Sequence, residues 1–296
     1  MGGLCDLHFH SVFSDGTDTP EELAALAART GLSAAVLTDH DTMAGVPRFL
    51  AAAAAAGVRA MTGLEISANV PGRTVHLLCY GCDPEERALA DALRRVRDGR
   101  EERNRRIFAL LARAGAPVSD AEAAAFAGDG GVVGRPHIAA ALVAKGFATD
   151  RHDAFRRYLA RGSVAYAERF RLSPATAIAL AHGAGGVVSL AHPVTTGYNP
   201  AELRRFVAEL AQDGLDGIEC LYTGFLPGQV EEYVGLAAEF GLVATGGTDY
   251  HGANKPNIRL GTAYGGLKVR AEAFDALLER IAEKKRIAAK KGTSPK

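Results

Sequence analysis

Short apolar segments that end in polar residues alternate along this chain with stretches that carry the pattern of amphipathic helices. This alternation restricts the fold more than any other feature, because it is typical of a mostly parallel β-sheet with crossover helices. The predicted strands are 4–10, 34–40, 59–65, 75–80, 187–192, 217–222 and 242–249. The segment 19–22, Thr-Pro-Glu-Glu, predicts an N-cap, a proline at the first helical position and a capping box for the first crossover helix. The sequence therefore predicts an α/β fold.

The domain organisation follows from length and from where the strand pattern stops. The chain has 296 residues, a length that α/β barrels reach as a single unit. From about 83 to 165 the strand pattern gives way to helical patterning rich in arginine, with acidic residues interleaved. That pattern fits a solvated, salt-bridged helix face, and a phosphate-binding face is the alternative. The predicted parts are a first barrel segment at 1–82, a helical insertion or lid at 83–165, the remaining barrel at 166–283 and a basic C-terminal tail at 284–296.

Composition excludes little. Lys plus Arg and Asp plus Glu number 34 each, so no overall field attracts nucleic acid or an anionic membrane, although local basic clusters remain open. Because the sequence has no signal-peptide or membrane-span pattern, we expect a cytoplasmic protein that does not bind membranes. Cys79 and Cys82 form a lone CxxC, which we interpret as buried packing rather than a zinc or redox site, since no second pair follows.

Histidines concentrate where the predicted strands end. In the segment 6–10, Asp-Leu-His-Phe-His, the two-residue period of a strand puts Asp6, His8 and His10 on one face. Two imidazoles on the same face can bind one cation. The other two histidines outside such places, His152 and His182, lie in helical patterns without carboxylates nearby, and we interpret them as structural.

Further imidazoles and carboxylates lie within, at the end of or shortly after the predicted strands. They are Asp15 on a Ser-Asp-Gly turn, His40, Glu65, His76, His192, Asp249 and His251. In a barrel such strand ends share one mouth. Imidazole with carboxylate suits Zn²⁺, Mn²⁺ or Fe²⁺, and these residues exceed what one ion can use, so two or three divalent ions are predicted.

These motifs resemble the polymerase and histidinol phosphatase (PHP) family of metal-dependent phosphoesterases. The resemblance extends over nearly the whole chain and is closest to stand-alone bacterial enzymes acting on nucleotide or ribose phosphates, because Gly-Arg-Pro-His stands at 134–137. It implies a distorted (β/α)₇ barrel with three metal positions. The first would be held by His8, His10, Glu65 and Asp249, the second by Asp15, His40 and His251, and the third by Glu65, His76 and His192.

Phosphate ester hydrolysis needs enhancements up to about 10²¹-fold, which proximity and one general base do not supply. We therefore expect a metal-bridging hydroxide to attack phosphorus. Arg135 is the first candidate to bind the phosphate, because guanidinium offers a bidentate fork, and His137 is its neighbour. Arg169 and Arg171 are further candidates, and for each of them a surface charge is an equal alternative to a phosphate contact. The leaving-group acid stays unassigned between His192 and a metal-bound water.

The leading functional hypothesis is a phosphatase for nucleotides such as nucleoside 3′,5′-bisphosphates or AMP, with short RNA as a further substrate. A cyclic phosphodiesterase acting on ribose cyclic phosphates and a histidinol-phosphate phosphatase are alternative enzymes. The non-enzyme alternative is a metal-stabilised accessory module. The partner is thus a small phosphorylated substrate, and the sequence leaves the oligomeric state open.

Overall fold

The computed structural model describes residues 2–127 and 133–292. Its strands are β1 (Leu4–Phe9), β2 (Leu32–Leu37), β3 (Arg59–Ala60), β4 (Gly63–Val70), β5 (Arg73–Tyr80), β6 (Val187–Leu190), β7 (Gly217–Tyr222), β8 (Val243–Gly247) and β9 (Val269–Arg270). Its α-helices are α1 (Pro20–Arg29), α2 (Val46–Ala55), α3 (Arg87–Arg113), α4 (Asp120–Ala124), α5 (Arg135–Ala144), α6 (Arg151–Ala154), α7 (Pro174–Gly183), α8 (Pro200–Gln212), α9 (Pro227–Phe240) and α10 (Glu272–Gly292). The predicted capping box of α1 is present at Thr19 and Glu22.

The described strands form two sheets, in the orders β3-β2-β1-β9 and β4-β5-β6-β7-β8. The pairs β1–β2, β2–β3, β6–β7 and β7–β8 are parallel, as the alternation predicts. β5, however, runs antiparallel to both β4 and β6. The reason is a tight turn at Pro71 and Gly72, where Gly72 has φ +82° and proline precedes it. This hairpin extends the predicted third strand to Val70 and leaves no room for a crossover helix.

The two sheets meet where β1 and β2 end. His40, after β2, forms a parallel bridge with Glu65 of β4, and Phe9 of β1 forms one with Tyr250 after β8. The backbone N–H of Asp249 donates to the carbonyl of His8 over 2.7 Å. Strand ends from both sheets are thus joined by backbone hydrogen bonds, although the described strands do not form one closed sheet.

Apolar clusters lie on the helix-facing sides of the sheets. β1 and β2 pack on α1 and α2 through residues such as Leu23 and Phe49, and the second sheet packs on α3, α7, α8 and α9. The helices from the C-terminal half of α3 to residue 165 have a cluster of their own, which includes Ile107 and Leu142. That separate core suits the predicted insertion, whose boundaries remain a prediction. Within the predicted tail, residues 284–292 belong to α10, and 293–296 lie outside the described residues.

The four cysteines are buried free thiols. Burial raises the pKa of Cys79 well above its ordinary value, with nearby Cys82 adding to the effect. A thiol with a raised pKa is a poor metal ligand and a poor nucleophile. The two residues of the CxxC therefore lie in the apolar core, in line with the packing interpretation.

Asp216, at the amino end of β7, ties three elements together. Its carboxylate accepts hydrogen bonds from His182 of α7 over 2.8 Å and from the backbone N–H of Val188 in β6 over 3.0 Å. Lys284 of α10 forms an ion pair with it over 2.8 Å. Burial opposes ionisation of Asp216, but the hydrogen bonds from His182 and Lys284 outweigh it and lower its pKa. His182 is thus structural here, as predicted.

Asp216→Asn should lower the free energy of unfolding by about 2 kcal/mol at pH 7, because the buried acceptor loses its charge-assisted bonds. A lowered pKa in the folded state means that this stabilisation is complete above the ordinary value of 3.8 and disappears as the pH falls below it. Urea unfolding of both proteins, at pH 7 and then in steps below pH 4, measures the difference. Equal stability at pH 7 would contradict this role.

Candidate metal centre

The nine predicted ligands lie together at the end of the sheets where β1, β2 and β8 finish. Their nitrogen and oxygen atoms form four groups within which all donor atoms are within 4.8 Å of one another. The groups are His10, Asp15, His40 and His251; His8, His10 and Asp249; His8, Glu65 and His192; and His40, Glu65 and His76. Several residues belong to two groups, so the sites would share ligands.

Glu65 is at the middle of the cluster and is completely buried. Its Oε2 lies 2.9 Å from His40 Nδ1, 3.2 Å from His10 Nε2 and 3.4 Å from His8 Nε2. Its Oε1 lies 2.9 Å from His76 Nδ1 and 3.0 Å from His192 Nε2. One carboxylate can therefore bridge two cations, one at each oxygen.

Asp15 and Asp249 supply the other carboxylates of the cluster. Asp15 Oδ1 lies 3.1 Å from His251 Nε2 and 3.8 Å from His40 Nε2. Asp249 Oδ1 lies 3.3 Å from His10 Nε2 and 3.4 Å from His251 Nδ1. Imidazoles thus alternate with carboxylates, which is the donor set suited to zinc, manganese and iron.

Hydrogen bonds fix the ring orientation of four of the histidines. In His8, His10, His192 and His251 the Nδ1 atom contacts Glu219, Ser14, Thr195 and the carbonyl of Asp249, respectively. A carboxylate and a carbonyl only accept, and both hydroxyls already donate elsewhere, so each Nδ1 carries the proton. The Nε2 lone pairs of these rings therefore point into the cluster, as ligation requires.

The charge and hydrogen bonding of the cluster fit cations. Burial opposes ionisation of Glu65, yet neighbouring imidazoles, with His40 the strongest, hold its pKa well below its ordinary value. The buried atoms His8 Nε2, His10 Nε2, His40 Nδ1, Asp15 Oδ1 and Glu65 Oε2 have no hydrogen-bond partner within the described residues. Buried polar atoms are normally paired, so unpaired ones that converge need an explanation. Metal coordination provides it.

Three supporting carboxylates were not recognised from the sequence in this role. Asp39 accepts from both the amide and the hydroxyl of Ser11, and Asp6 accepts from the hydroxyl of Thr248, so each fixes a ligand-bearing loop. Glu219 contacts His8 over 3.0 Å. A single carboxylate inside an apolar strand is the only sequence signal that Glu219 gave, and period-two alternation on that strand could have drawn attention to it.

Two residues beside Asp249 were also missed. Tyr222 donates its hydroxyl to Asp249 Oδ2 over 2.8 Å, and the Lys255 ammonium lies 2.5 Å from the same oxygen. Both line the cavity in front of the cluster. They leave the other oxygen of Asp249 for the histidines.

That cavity has a volume of about 510 Å³, and arginines form part of its wall. They are Arg100, Arg103, Arg135, Arg151, Arg169 and Arg171. The predicted phosphate contacts Arg135, Arg169 and Arg171 thus line the cavity. Arg100 and Arg103 belong to the arginine-rich stretch for which a phosphate-binding face was the alternative, and Arg151 of α6 was not predicted. His137 is not among the lining residues; it is buried, and its Nδ1 accepts from the backbone N–H of Gly134 over 3.1 Å.

Asp41 anchors this wall. Its Oδ2 lies 2.6 Å from Arg100 and 3.1 Å from Arg169, and its Oδ1 accepts from the backbone N–H of Ser67. Burial lowers the pKa of Arg103 to about 8, and the neighbouring arginines add to this. The wall therefore carries more buried positive charge than Asp41 neutralises.

An α/β fold with clustered imidazoles and carboxylates facing an arginine wall defines a metal-dependent hydrolase for anionic esters. The model of the PHP domain matches residues 6–113. The chain is 34% identical over 246 residues to a 3′,5′-nucleoside bisphosphate phosphatase of Chromobacterium violaceum, covering 83% of this chain and 86% of the relative. The same identity is found with a 5′-3′ exoribonuclease of Haemophilus influenzae, covering 83% and 89%.

A crystal structure from Bifidobacterium adolescentis, provisionally assigned as a metal-dependent phosphoesterase, superposes with a TM-score of 0.83 at 35% identity, covering 93% of this chain and 96% of that one. The chain belongs to the PHP family and is an enzyme that hydrolyses phosphoric esters. Within the described residues no helix has the length and apolar character needed to cross a membrane.

Divalent cations should stabilise the protein through Glu65. At a Mn²⁺ concentration of 100 times Kd, each site would add about 2.7 kcal/mol and raise Tm by several degrees. Glu65→Gln should reduce that shift, because the two groups that share this carboxylate lose a ligand while the other two keep theirs. Differential scanning fluorimetry with and without Mn²⁺ measures it, with the exposed Glu21→Gln as control. A full shift in Glu65→Gln would rule out a central role.

Proposed function

We propose that this phosphoesterase removes phosphate from nucleotides that carry two phosphates, such as nucleoside 3′,5′-bisphosphates. The observation that carries the proposal is that the candidate metal ligands and six arginines line the same cavity. A substrate with a single phosphate needs only one cationic surface. A second anionic group on the substrate would account for the second cationic surface of the cavity.

The charge of the arginine wall supports a multiply charged substrate. Arg100 and Arg169 share Asp41, and Arg171 has Glu168 at 3.6 Å, a side chain that is half exposed and screened. Arg100 Nε and Arg171 Nε are buried and lack hydrogen-bond partners among the described residues. Guanidinium groups in this state are donors available to phosphate oxygens.

Bound divalent ions would supply Lewis acidity and an activated water at neutral pH. We propose two or three ions: one with His8, His10, Glu65 and Asp249, a second with Asp15, His40 and His251, and a third with Glu65, His76 and His192. The protein's own residues would orient the ester. Arg135 and Arg171 would hold non-reacting phosphate oxygens, and Tyr222 and Lys255 would hold Asp249 in place for its ligand role.

The bridges between the two sheets support a related proposal about the fold, that the strands make a distorted (β/α)₇ barrel. The pairings His40 with Glu65 and Phe9 with Tyr250 each continue one sheet into the other. In a barrel the ligand-bearing strand ends share one mouth.

The name of the Chromobacterium violaceum relative supports the substrate class.

Arg135→Ala should lower kcat/KM for a nucleoside 3′,5′-bisphosphate about 100-fold, the cost of one preorganised donor to a transition-state oxygen. Bound metal should not change, because Arg135 is in none of the ligand groups. Phosphate release by purified, Mn²⁺-loaded protein measures it, and the exposed Arg94→Ala is the matched control. Histidinol phosphate and a ribose cyclic phosphate are run in parallel, and faster turnover of either would replace the proposed substrate.

A second cavity favours short RNA as a further substrate. It has a volume of about 260 Å³ and adjoins the first, sharing Thr74, Arg135 and Arg171 with it. Its other basic residues are Arg73 and Arg161. A positive channel that continues beyond the reacting phosphate suits the next phosphodiester of a strand.

Arg161→Glu should raise KM for a short oligoribonucleotide about tenfold, because an attractive contact with a phosphodiester becomes repulsive. Turnover of the nucleoside bisphosphate should stay unchanged, since Arg161 lines the second cavity alone. The exposed Arg105→Glu controls for net charge. Equal KM values for the RNA in both variants would mean that the second cavity does not bind the strand.

A further inference from the structure

Glu219 is a buried carboxylate in the middle of β7, outside the groups that could hold an ion. Its Oε1 lies 3.0 Å from His8 Nδ1, and its Oε2 accepts from the backbone N–H of His192 over 2.6 Å. Both oxygens are thus used by ligand residues. His8 lies on β1 and His192 lies in the loop after β6, so one side chain holds two separate parts of the cluster.

The contact with His8 decides which ring nitrogen is free. A carboxylate only accepts hydrogen bonds, so Nδ1 of His8 is the donor and Nε2 is left with its lone pair. That Nε2 lies 3.4 Å from Glu65 Oε2 and 3.6 Å from Asp249 Oδ1, inside the cluster. Without Glu219, nothing else in contact with His8 Nδ1 would fix this tautomer in the described part of the chain.

The contact with His192 holds an unfavourable backbone. His192 has φ +23° and ψ 67°, a region that a residue with a side chain rarely adopts. The short bond from its N–H to Glu219 offsets part of that cost. Its ring is then directed so that Nε2 lies 3.0 Å from Glu65 Oε1.

We propose that Glu219 is a positioning residue of the metal centre, which sets the tautomer of His8 and the backbone of His192 at the same time. The inference rests on the metal centre of the proposed function and not on its substrate. Loss of this one carboxylate would weaken cation binding on both oxygens of Glu65. Outer partners of ligating histidines typically contribute 10- to 100-fold to metal affinity.

Glu219→Gln is the most informative change, because it keeps the shape and replaces one acceptor oxygen with a donor NH₂ group. If the amide oxygen accepts from His192, the NH₂ group faces His8 Nδ1. That favours the tautomer with the proton on Nε2, which leaves the nitrogen that faces the cluster without a lone pair for a cation. Glu219→Asp keeps two acceptors on a shorter side chain.

The matched control is Asp216, the residue before β7. It is also a buried carboxylate that contacts a histidine and a backbone N–H, but its contacts with His182, Val188 and Lys284 involve none of the candidate ligands. Asp216→Asn therefore removes an equivalent structural carboxylate without touching the ligands.

The experiment measures Mn²⁺ affinity by calorimetry on metal-free protein, together with the Tm and with long-range ¹H–¹⁵N spectra of the imidazoles. Glu219→Gln should weaken Mn²⁺ binding at least tenfold and move the His8 proton from Nδ1 to Nε2. Glu219→Asp should retain the wild-type tautomer and regain part of the affinity. Asp216→Asn should lower the Tm and leave the affinity unchanged.

Wild-type affinity in Glu219→Gln, or an unchanged tautomer, would overturn the proposal. An equal loss of affinity in Asp216→Asn would also overturn it, since the effect would then be a general loss of stability. Should Glu219→Gln not fold, Glu219→Asp decides: loss of Mn²⁺ affinity with an unchanged Tm supports positioning, and loss of Tm alone contradicts it. No substrate is used, so failure here is distinct from an incorrect substrate.

Discussion

The arrangement of the whole site depends on one buried carboxylate, that of Glu65. Five imidazoles surround its two oxygens, from β1, from the loop after β2, from β5 and from the loop after β6. An ionised carboxylate without compensation is very costly to bury, so these contacts are what permit its position. Since these imidazoles come from four different parts of the chain, the same contacts also determine how the strand ends must converge.

The strand ends and the positions of the candidate ligands could be predicted, whereas one strand direction could not. The residues after β1, β2 and β8 follow buried apolar segments, and period-two alternation identifies the shared face of His8 and His10. His76 is different, because β5 reverses direction and presents a mid-strand residue at the same end. The pattern of an apolar segment does not show whether its strand pairs in parallel or antiparallel. Only the turn at Pro71 and Gly72 could have indicated the hairpin.

The arginine wall was predicted in part, for a physical reason. Arg135, Arg169 and Arg171 lie near motifs, but Arg100 and Arg103 are two of many arginines on α3. Which of these face inward depends on how the helix packs, and its charge pattern alone fits a solvated surface. Asp41 determines which arginines face inward, since a buried carboxylate after β2 requires cationic partners and pairs with Arg100 and Arg169. The role of Glu219 could not be predicted for a similar reason, because it is a single charged residue in an otherwise apolar strand.

Three residues of the site that are not glycine adopt a locally unfavourable backbone conformation with positive φ. Asp41, His192 and Asp249 have φ values of +58°, +23° and +54°, each costing about 1–3 kcal/mol. Their N–H groups donate to the carbonyl of Glu65, to Glu219 and to the carbonyl of His8, respectively, so tertiary hydrogen bonds oppose the strain. Groups of the protein itself therefore support these conformations. The ligands are thus preorganised by the fold, and binding energy from metal and substrate need not be spent on reshaping the loops.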